Sequence, residues 1–467
     1  MRRGIRGLAR DVAAITVFTW LCAIGCTSGQ AVPSAPVHSE AGTTAQDSTL
    51  AITHVTVIDP ANGATERRDM TIIIRGTRIV SVGPTASVDI PSGAVVHEAS
   101  GHFVTPGFWD AHVHLSQAGP DAFPLFIANG ITSVRDMGSD FAQVLQWKAA
   151  RAAGALMPRI ISPGPKLDGG SFIQRMLGSG KGEQRILTSP ADARRTVDEL
   201  KAQGVDFIKV HNRLTPPLYD AVVAECRKDQ LPFAGHLPVA GPLAAAAAGQ
   251  RTIEHGRGML LCSADTWARI RSDHKAQPDA EYCAPLEVQS ALFPALLHAG
   301  TWFTPTLVSW RGHAMVGDPS LARWLAALPG DSAVWPALRH HWDDMAGPTP
   351  TPFERELLGQ FGGLAAAASH AGVPLLAGTD LGDPYVIPGF SLHDELELMV
   401  AAGVTPLAAL QSATSEPARA FGLTQTVGTI APGQAADLVL LDGDPLADVG
   451  NSRRIHAVVL NGHWLVH

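Results

Sequence analysis

Val104-Thr105-Pro106-Gly107-Phe108-Trp109-Asp110-Ala111-His112-Val113-His114 is an apolar run that ends in two histidines one residue apart. It falls within a strand expected over Phe103–Leu115. Side chains alternate along a strand with period two, so both imidazoles project to the same side and can share one cation. Polar residues at the tail of an apolar strand waste burial unless they bind something.

Outward from this stretch the same texture recurs. Seven more short apolar runs follow: Ile131–Met137, Arg159–Pro163, Val205–Val210, Pro232–His236, Arg251–His255, Trp302–Leu307 and Val373–Asp380. Helical patterns such as Ala191–Gln203, Pro217–Asp229 and Leu358–His370 separate most of them. Eight strand–helix units predict an α/β fold, a (β/α)8 TIM barrel over residues 104–424. An open doubly wound sheet has no need of eight strands. Alternating β patterns flank the barrel at 49–103 and 425–467, and neither piece alone can cover a sheet face. Together they predict one small β-sandwich domain built from both termini.

The titratable residues cluster at strand ends. His112 and His114 end the first strand, Lys209 and His211 the fourth, His236 the fifth, His255 the sixth and Asp380 the eighth. Parallel barrel strands bring these ends to one face, where barrel active sites are built. Asp136, ending the second strand, reads as a loop cap or a support for the ligands, and Glu254 as a group that orients a ligand. His298 and His370 fall on helical segments and read as structural.

Composition narrows the function. The chain has 467 residues, 46% hydrophobic and 17% charged, which allows a large core and excludes a disordered protein. A net charge of −8, with no basic run carrying interleaved aromatics, excludes a nucleic-acid footprint. Arg2, Arg3, Arg6 and Arg10 precede an apolar stretch, Val12–Ile24, too short to span a bilayer. That pattern predicts an export signal over 1–26, followed by a Ser-, Ala-, Gly-, Thr- and Pro-rich tether over 27–48. Ala23-Ile24-Gly25-Cys26 resembles a bacterial lipobox, in which Cys26 takes a lipid anchor; ordinary cleavage further on is the alternative. Either route places the protein in the periplasm or at the outer membrane, with no other membrane contact. Of the remaining cysteines, Cys262 and Cys283 lie in one irregular stretch and can pair after export, while Cys226 sits in a helical pattern as a small buried residue. No CxxC pair suggests a thiolate metal site.

The motifs together resemble the amidohydrolase superfamily, in particular its imidazolonepropionase-like and Xaa-Pro or Xaa-Arg dipeptidase-like branch. The stretch quoted first is joined by Thr252-Ile253-Glu254-His255-Gly256, Ala377-Gly378-Thr379-Asp380, Leu392-His393-Asp394-Glu395-Leu396 with Ala402-Gly403-Val404-Thr405-Pro406, and Val427-Gly428-Thr429-Ile430-Ala431-Pro432-Gly433-Gln434-Ala435-Ala436-Asp437-Leu438-Val439. Carried over by position, the resemblance implies His112, His114 and Asp380 on one metal and His236 and His255 on a second. It implies Lys209 as a lysine carboxylated by CO2 that bridges the two. His211 and His393 are candidate substrate contacts. His236 is followed by Leu237-Pro238, where the dipeptidase-like members often differ.

The implied cofactor is zinc, with manganese or cobalt as alternatives, in two ions. Its bound water becomes a bridging hydroxide near neutral pH, and Asp380 moves the proton to the leaving nitrogen. The substrate expected is a small amide or dipeptide, cleaved by an exported dipeptidase or N-acyl-amino-acid hydrolase. Two alternatives stand beside it: a mononuclear cyclic-amide hydrolase with unmodified Lys209, and a non-catalytic binding protein on the same fold. Substrate-selecting loops are expected at Lys166–Ile186 and Gly256–Leu297; association of copies is left open.

Overall fold

The computed structural model describes residues 48–63, 65–170, 182–266, 282–316, 342 and 352–466. The expected export signal, and the tether except its last residue, lie outside the described residues.

Strand β1 (Thr49–Ile58) has ten residues, enough for different partners along its two edges. Antiparallel β2 (Glu66–Arg75) lies on one edge and is itself paired with β3 (Arg78–Pro84). On the other edge, parallel β4 (Val95–Glu98) pairs with residues 50–53 and β5 (Phe103–Pro106) with Thr56 and Val57.

The chain then enters a region of parallel strands. One sheet holds β6 (Phe108–Val113), β7 (Ile131–Asp136) and β8 (Arg159–Ile161). A second holds β9 (Lys166–Asp168), β10 (Gln184–Ile186), β11 (Ile208–Val210), β12 (Phe233–Gly235), β13 (Thr252–Glu254) and β14 (Trp302–Thr304), in the order β10-β9-β11-β12-β13-β14. Helices lie between them, and their limits follow local chemistry. The helix Pro190–Gln203 starts with Ser189 accepting from the Asp192 N–H at 3.1 Å and with Pro190 in its first turn; it stops at Gly204 in the left-handed region.

The run expected as an eighth strand, Val373–Asp380, is irregular, yet it bonds to both sheets. Phe303 N donates to Pro374 O and Leu376 N to Phe303 O, at the β14 edge. Ala111 N donates to Ala377 O and Asp380 N to His112 O, at the β6 edge. Gly378 permits this approach, since a Cβ there would lie 2.7 Å from His112 Cβ and 2.8 Å from Thr304 Cγ2. Across the other gap, Asp206 N donates to Ser162 O, just beyond β8.

The termini meet in the first sheet. β15 (Leu438–Leu441) pairs with β5 and with β16 (Ile455–Leu460), which pairs with β17 (His463–Val466), all antiparallel. The strands of both termini thus belong to one hydrogen-bonded eight-stranded sheet, seven along a single path and β4 beside β1. It keeps a core of its own, including Ile52, Val57, Ile72, Ile74, Leu438 and Val459.

Two expectations are corrected. The strand expected over Phe103–Leu115 breaks at Gly107, whose N–H donates to Asp437 O, while Phe108 N turns to Gly130 O. Its halves consequently serve different sheets. A side chain at 107 would collide with Thr132, its Cβ only 2.1 Å from Oγ1. The loop expected from Lys166 contains strands β9 and β10 instead. Among the described residues, no helix is long and apolar enough to cross a membrane.

Candidate metal centre

The strand ends converge. His112 is the fifth residue of β6 and His114 follows its last; His236 follows β12 and His255 follows β13. His112 Nε2 lies 3.3 Å from Asp380 Oδ1 and His114 Nε2 lies 3.4 Å from the same oxygen. His255 Nδ1 stands 3.5 Å from Asp380 Oδ2. Ring centroids step from His112 to His255 at 4.7 Å, to His236 at 4.9 Å and to His211 at 4.4 Å. Lys209 is buried on β11, its Nζ 3.5 Å from His112 Nε2. His114, Lys209, His211, His236, His255 and Asp380 line a cavity of about 350 Å3, behind which His112 is fully buried.

Each ring is fixed from behind. Nδ1 meets Glu254 Oε2 at 2.9 Å in His112, Gly138 O at 3.1 Å in His114, and Asn212 Oδ1 at 2.6 Å in His236. A ring that donates through Nδ1 keeps its Nε2 lone pair for a cation, the tautomer a metal ligand needs. His255 Nδ1 lies 2.9 Å from Thr306 Oγ1.

Burial reinforces this. It holds His112, His236 and His255 well below the usual imidazole range and His114 at about 4, with Lys209 nearby adding its positive charge. The same burial lowers Lys209 to about 8, against the attraction of Glu254 and Asp380. Neutral imidazoles and a readily deprotonated amine are the forms that bind cations or capture CO2. Asp380 is held well above the ordinary carboxylate range, first by burial and then by Asp383.

Backbone strain marks the same residues. His255 has φ 66° and Asp380 φ 59°, both in the left-handed region that side chains avoid. Their N–H groups donate to Thr304 O and His112 O, both at 2.8 Å, which pins each turn. Such strain persists where surrounding structure over-determines it, and it gathers at ligand sites.

The donor set fits divalent metal. Ligand atoms of His112, His255 and Asp380 all lie within 4.8 Å of one another, with the nitrogens of His114, Lys209, His211 and His236 around the same cavity.

Several supports were not legible beforehand. Arg135, fully buried, donates through Nη2 to Glu254 Oε2 at 2.7 Å and through Nη1 to Thr252 Oγ1 at 2.8 Å. Glu254 therefore orients His112, as expected of a ligand-orienting group, with a buried cation behind it. Asp110, pushed by burial up to about 7, accepts from the Thr379 hydroxyl at 2.7 Å and from the backbone N–H groups of His112 and Thr379. It locks β6 to the segment that carries Asp380. Asp136 accepts from Leu115 N, Ser139 and Ser162, the capping role expected of it. Asp168 holds His211 Nδ1 at 2.6 Å. On the far wall, Ser309 and His313, one helical turn apart, both bond Asp383.

One expected contact is not brought here. His393 is buried elsewhere, with Nδ1 2.9 Å from Ser452 Oγ and Nε2 3.1 Å from Asn129 O. Both ring nitrogens are satisfied, so it ties its helix to neighbouring segments and does not line the cavity.

Residues 103–465 match the model described as Amidohydrolase family. The chain belongs to that family. An imidazolonepropionase of Ralstonia nicotianae is 30% identical over 419 residues, covering 85% of this chain and 93% of that one. An adenine deaminase of Rubrobacter xylanophilus is 25% identical over 419 residues, and this chain spans only 55% of its length. Among solved structures, a Xaa-Pro dipeptidase with methionine in its active site shares the fold, with TM-score 0.66, 20% identity and coverage of 90% of this chain and all of that one. An amidohydrolase is a metal-dependent hydrolase of carbon–nitrogen bonds, and this cavity holds the residues for that class of chemistry. The parallel strands with a separate sheet from both termini are the TIM-barrel-type plan of these amidohydrolases.

Proposed function

We propose that this amidohydrolase is an exported dipeptidase or N-acyl-amino-acid hydrolase. Its hydrogen-bonded strands are read as one (β/α)8 barrel completed by the segment before Asp380. The observation that carries the reading is one cavity holding Asp380 among four fixed imidazoles and Lys209, with two cations, Lys166 and Arg257, on its walls. Among the described residues, neither cation is within salt-bridge distance of a carboxylate, although Lys166 acts on Asp380 at longer range. Arg257 lies 4.8 Å from the Trp310 ring centroid and 5.4 Å from that of Tyr282. Such stacking orients a guanidinium without neutralising it. An anionic group on the substrate, the free carboxylate of a dipeptide or N-acyl amino acid, answers it.

His112, His114 and Asp380 would hold one divalent ion and His236 and His255 another, zinc being the default for nitrogen and oxygen donors. Lys209 would join them as a carbamate, its neutral amine adding CO2 and releasing a proton. When bound, the metal supplies an activated water at neutral pH and polarises the substrate carbonyl. Asp380 would serve as the proton acceptor for the attacking water and as the donor to the departing nitrogen. His211, braced by Asp168, faces the substrate space.

Export is supported by the disulfide between Cys262 and Cys283, a bond that persists in oxidising compartments. Anchoring through Cys26 is the proposed attachment.

A mononuclear cyclic-amide hydrolase is the second reading, favoured by the 30% identity to imidazolonepropionase. Metal-loaded enzyme assayed on dipeptides, N-acyl amino acids, their C-terminal amides and imidazolonepropionate separates the two. Turnover of the free acids, with the amides at least tenfold poorer in kcat/KM, is expected. Turnover of imidazolonepropionate alone would reverse the choice.

A further inference from the structure

A second set of metal donors lies on the sheet built from the termini, outside the catalytic cavity. His102 immediately precedes β5, Asp442 immediately follows β15, and His456 is on β16. The register explains how they meet. β5 and β15 run antiparallel with Phe103 opposite Leu441, so the next pair outward is His102 opposite Asp442. Directly opposed residues in such a pair hold their side chains in contact.

Across the other edge of β15, Leu440 faces Ala457 and Leu441 faces Ile455. His456 is the unopposed extra residue of a β-bulge, a device that re-aims a side chain. Here it aims the imidazole at Asp442. The two rings stack at 3.8 Å between centroids with 30° between their planes.

His456 Nδ1 lies 3.1 Å and His102 Nδ1 3.2 Å from the same oxygen, Asp442 Oδ1. Only the first contact is aligned as a hydrogen bond. His102 Nδ1 is buried and has no hydrogen-bond partner, an orphaned donor or acceptor of the kind that calls for a ligand. Ligand atoms of all three residues lie within 4.8 Å of one another. Bonds of about 2.0–2.2 Å in a tetrahedral site put neighbouring ligand atoms about 3.3 Å apart, close to the 3.2 and 3.1 Å that separate the two Nδ1 atoms from Asp442 Oδ1. The side chains are 25%, 41% and 40% exposed, so an ion can reach them from solvent.

We infer that His102, Asp442 and His456 form a second, peripheral site for a divalent transition metal such as zinc, with water in the remaining position. The ion would clamp β5, from the N-terminal half, to β15 and β16, from the C-terminal end. It is independent of the catalytic reading.

The test uses full-length enzyme with its catalytic metal in place, equilibrated by dialysis against micromolar zinc. Wild type should retain one more zinc per chain than His456→Ala or Asp442→Asn, by elemental analysis, with turnover unchanged in both variants. Added zinc should raise the melting temperature of wild type and leave that of the variants unmoved. Asp380→Asn, altered only in the catalytic cavity, should keep the additional ion and the zinc-dependent shift. Equal zinc content in wild type and both variants, or a shift that persists in them, would overturn the proposal. Two substitutions on different strands guard against one of them merely disturbing the sheet.

Discussion

Glu254→Gln probes the buried support of the metal centre while keeping its shape. The Glu254 carboxylate accepts from Arg135 Nη2 at 2.7 Å and His112 Nδ1 at 2.9 Å on one oxygen, and from the Thr252 hydroxyl on the other. Both Glu254 and Arg135 side chains are fully buried. Glutamine has one acceptor oxygen and no charge, so the guanidinium loses its counter-ion and one donor loses its acceptor. Removing one member of a buried pair costs about 3–5 kcal/mol. At about 2.1 cal/mol/K per residue, roughly 400 residues unfold with an entropy near 0.84 kcal/mol/K, so the melting temperature should fall by about 4–6 °C. His112 also loses its orienting acceptor, for which metal affinity should drop about 10–100-fold. Calorimetry and metal titration read the two effects separately. Glu254→Gln with Arg135→Met should lose less than the sum of the single changes, because the stranded cation is gone. A single variant that melts within about 1 °C of wild type and holds its metal equally well would refute the reasoning.

Three further outcomes are expected. Asp380→Asn should fold normally and lose about 10²–10⁴-fold in kcat, since the amide cannot accept the proton; turnover at fixed metal content checks it. Lys209→Ala should lower metal content towards one ion and cut activity sharply, with partial recovery in short carboxylic acids, whereas Lys209→Arg should not recover because its guanidinium cannot capture CO2. Elemental analysis beside the rate assay decides, and full metal with full rate favours the mononuclear reading. Burial raises Glu395 from the ordinary 4.5 to about 8, so the folded state holds that proton more tightly than the unfolded chain. The contribution is complete below about pH 4.5 and fades as pH rises through about 8; Glu395→Gln should remove that decline, read as the difference between wild-type and variant melting temperatures across this range.

Most of this organisation was legible because period and position carry it. An apolar run ending in His112-Val113-His114 announces both a strand and what its end is for, and His236, His255 and Asp380 repeat the message. Lys209 and His211 followed from the same rule. Cys262 and Cys283 were legible as a pair only because few cysteines compete, and they are bonded to each other. His393 misled because a motif residue can be retained for packing: its two hydrogen bonds are to Ser452 and a backbone carbonyl, far from it in sequence. Arg135 was invisible for the opposite reason. It sits within an apolar strand, and only the fold reveals that Glu254, on a strand 119 residues further on, neutralises it. The break at Gly107 depends on Thr132 and Asp437, which no local pattern connects to it.

The pairing of β5 with β15 also sets an order of assembly. Pro106 faces Leu438, so the outer flank of the first sheet waits for roughly 330 further residues to be made, on the order of 15–70 s at 5–20 residues per second, and in an exported chain for them to cross the membrane as well. Throughout that interval β5 presents an unpaired edge, the kind of surface that recruits other chains. Every cavity ligand named above has been synthesised by Asp380, yet the newborn protein stays adhesive until the last three strands arrive. A chain truncated after Leu423 should therefore fail through aggregation rather than through any missing ligand.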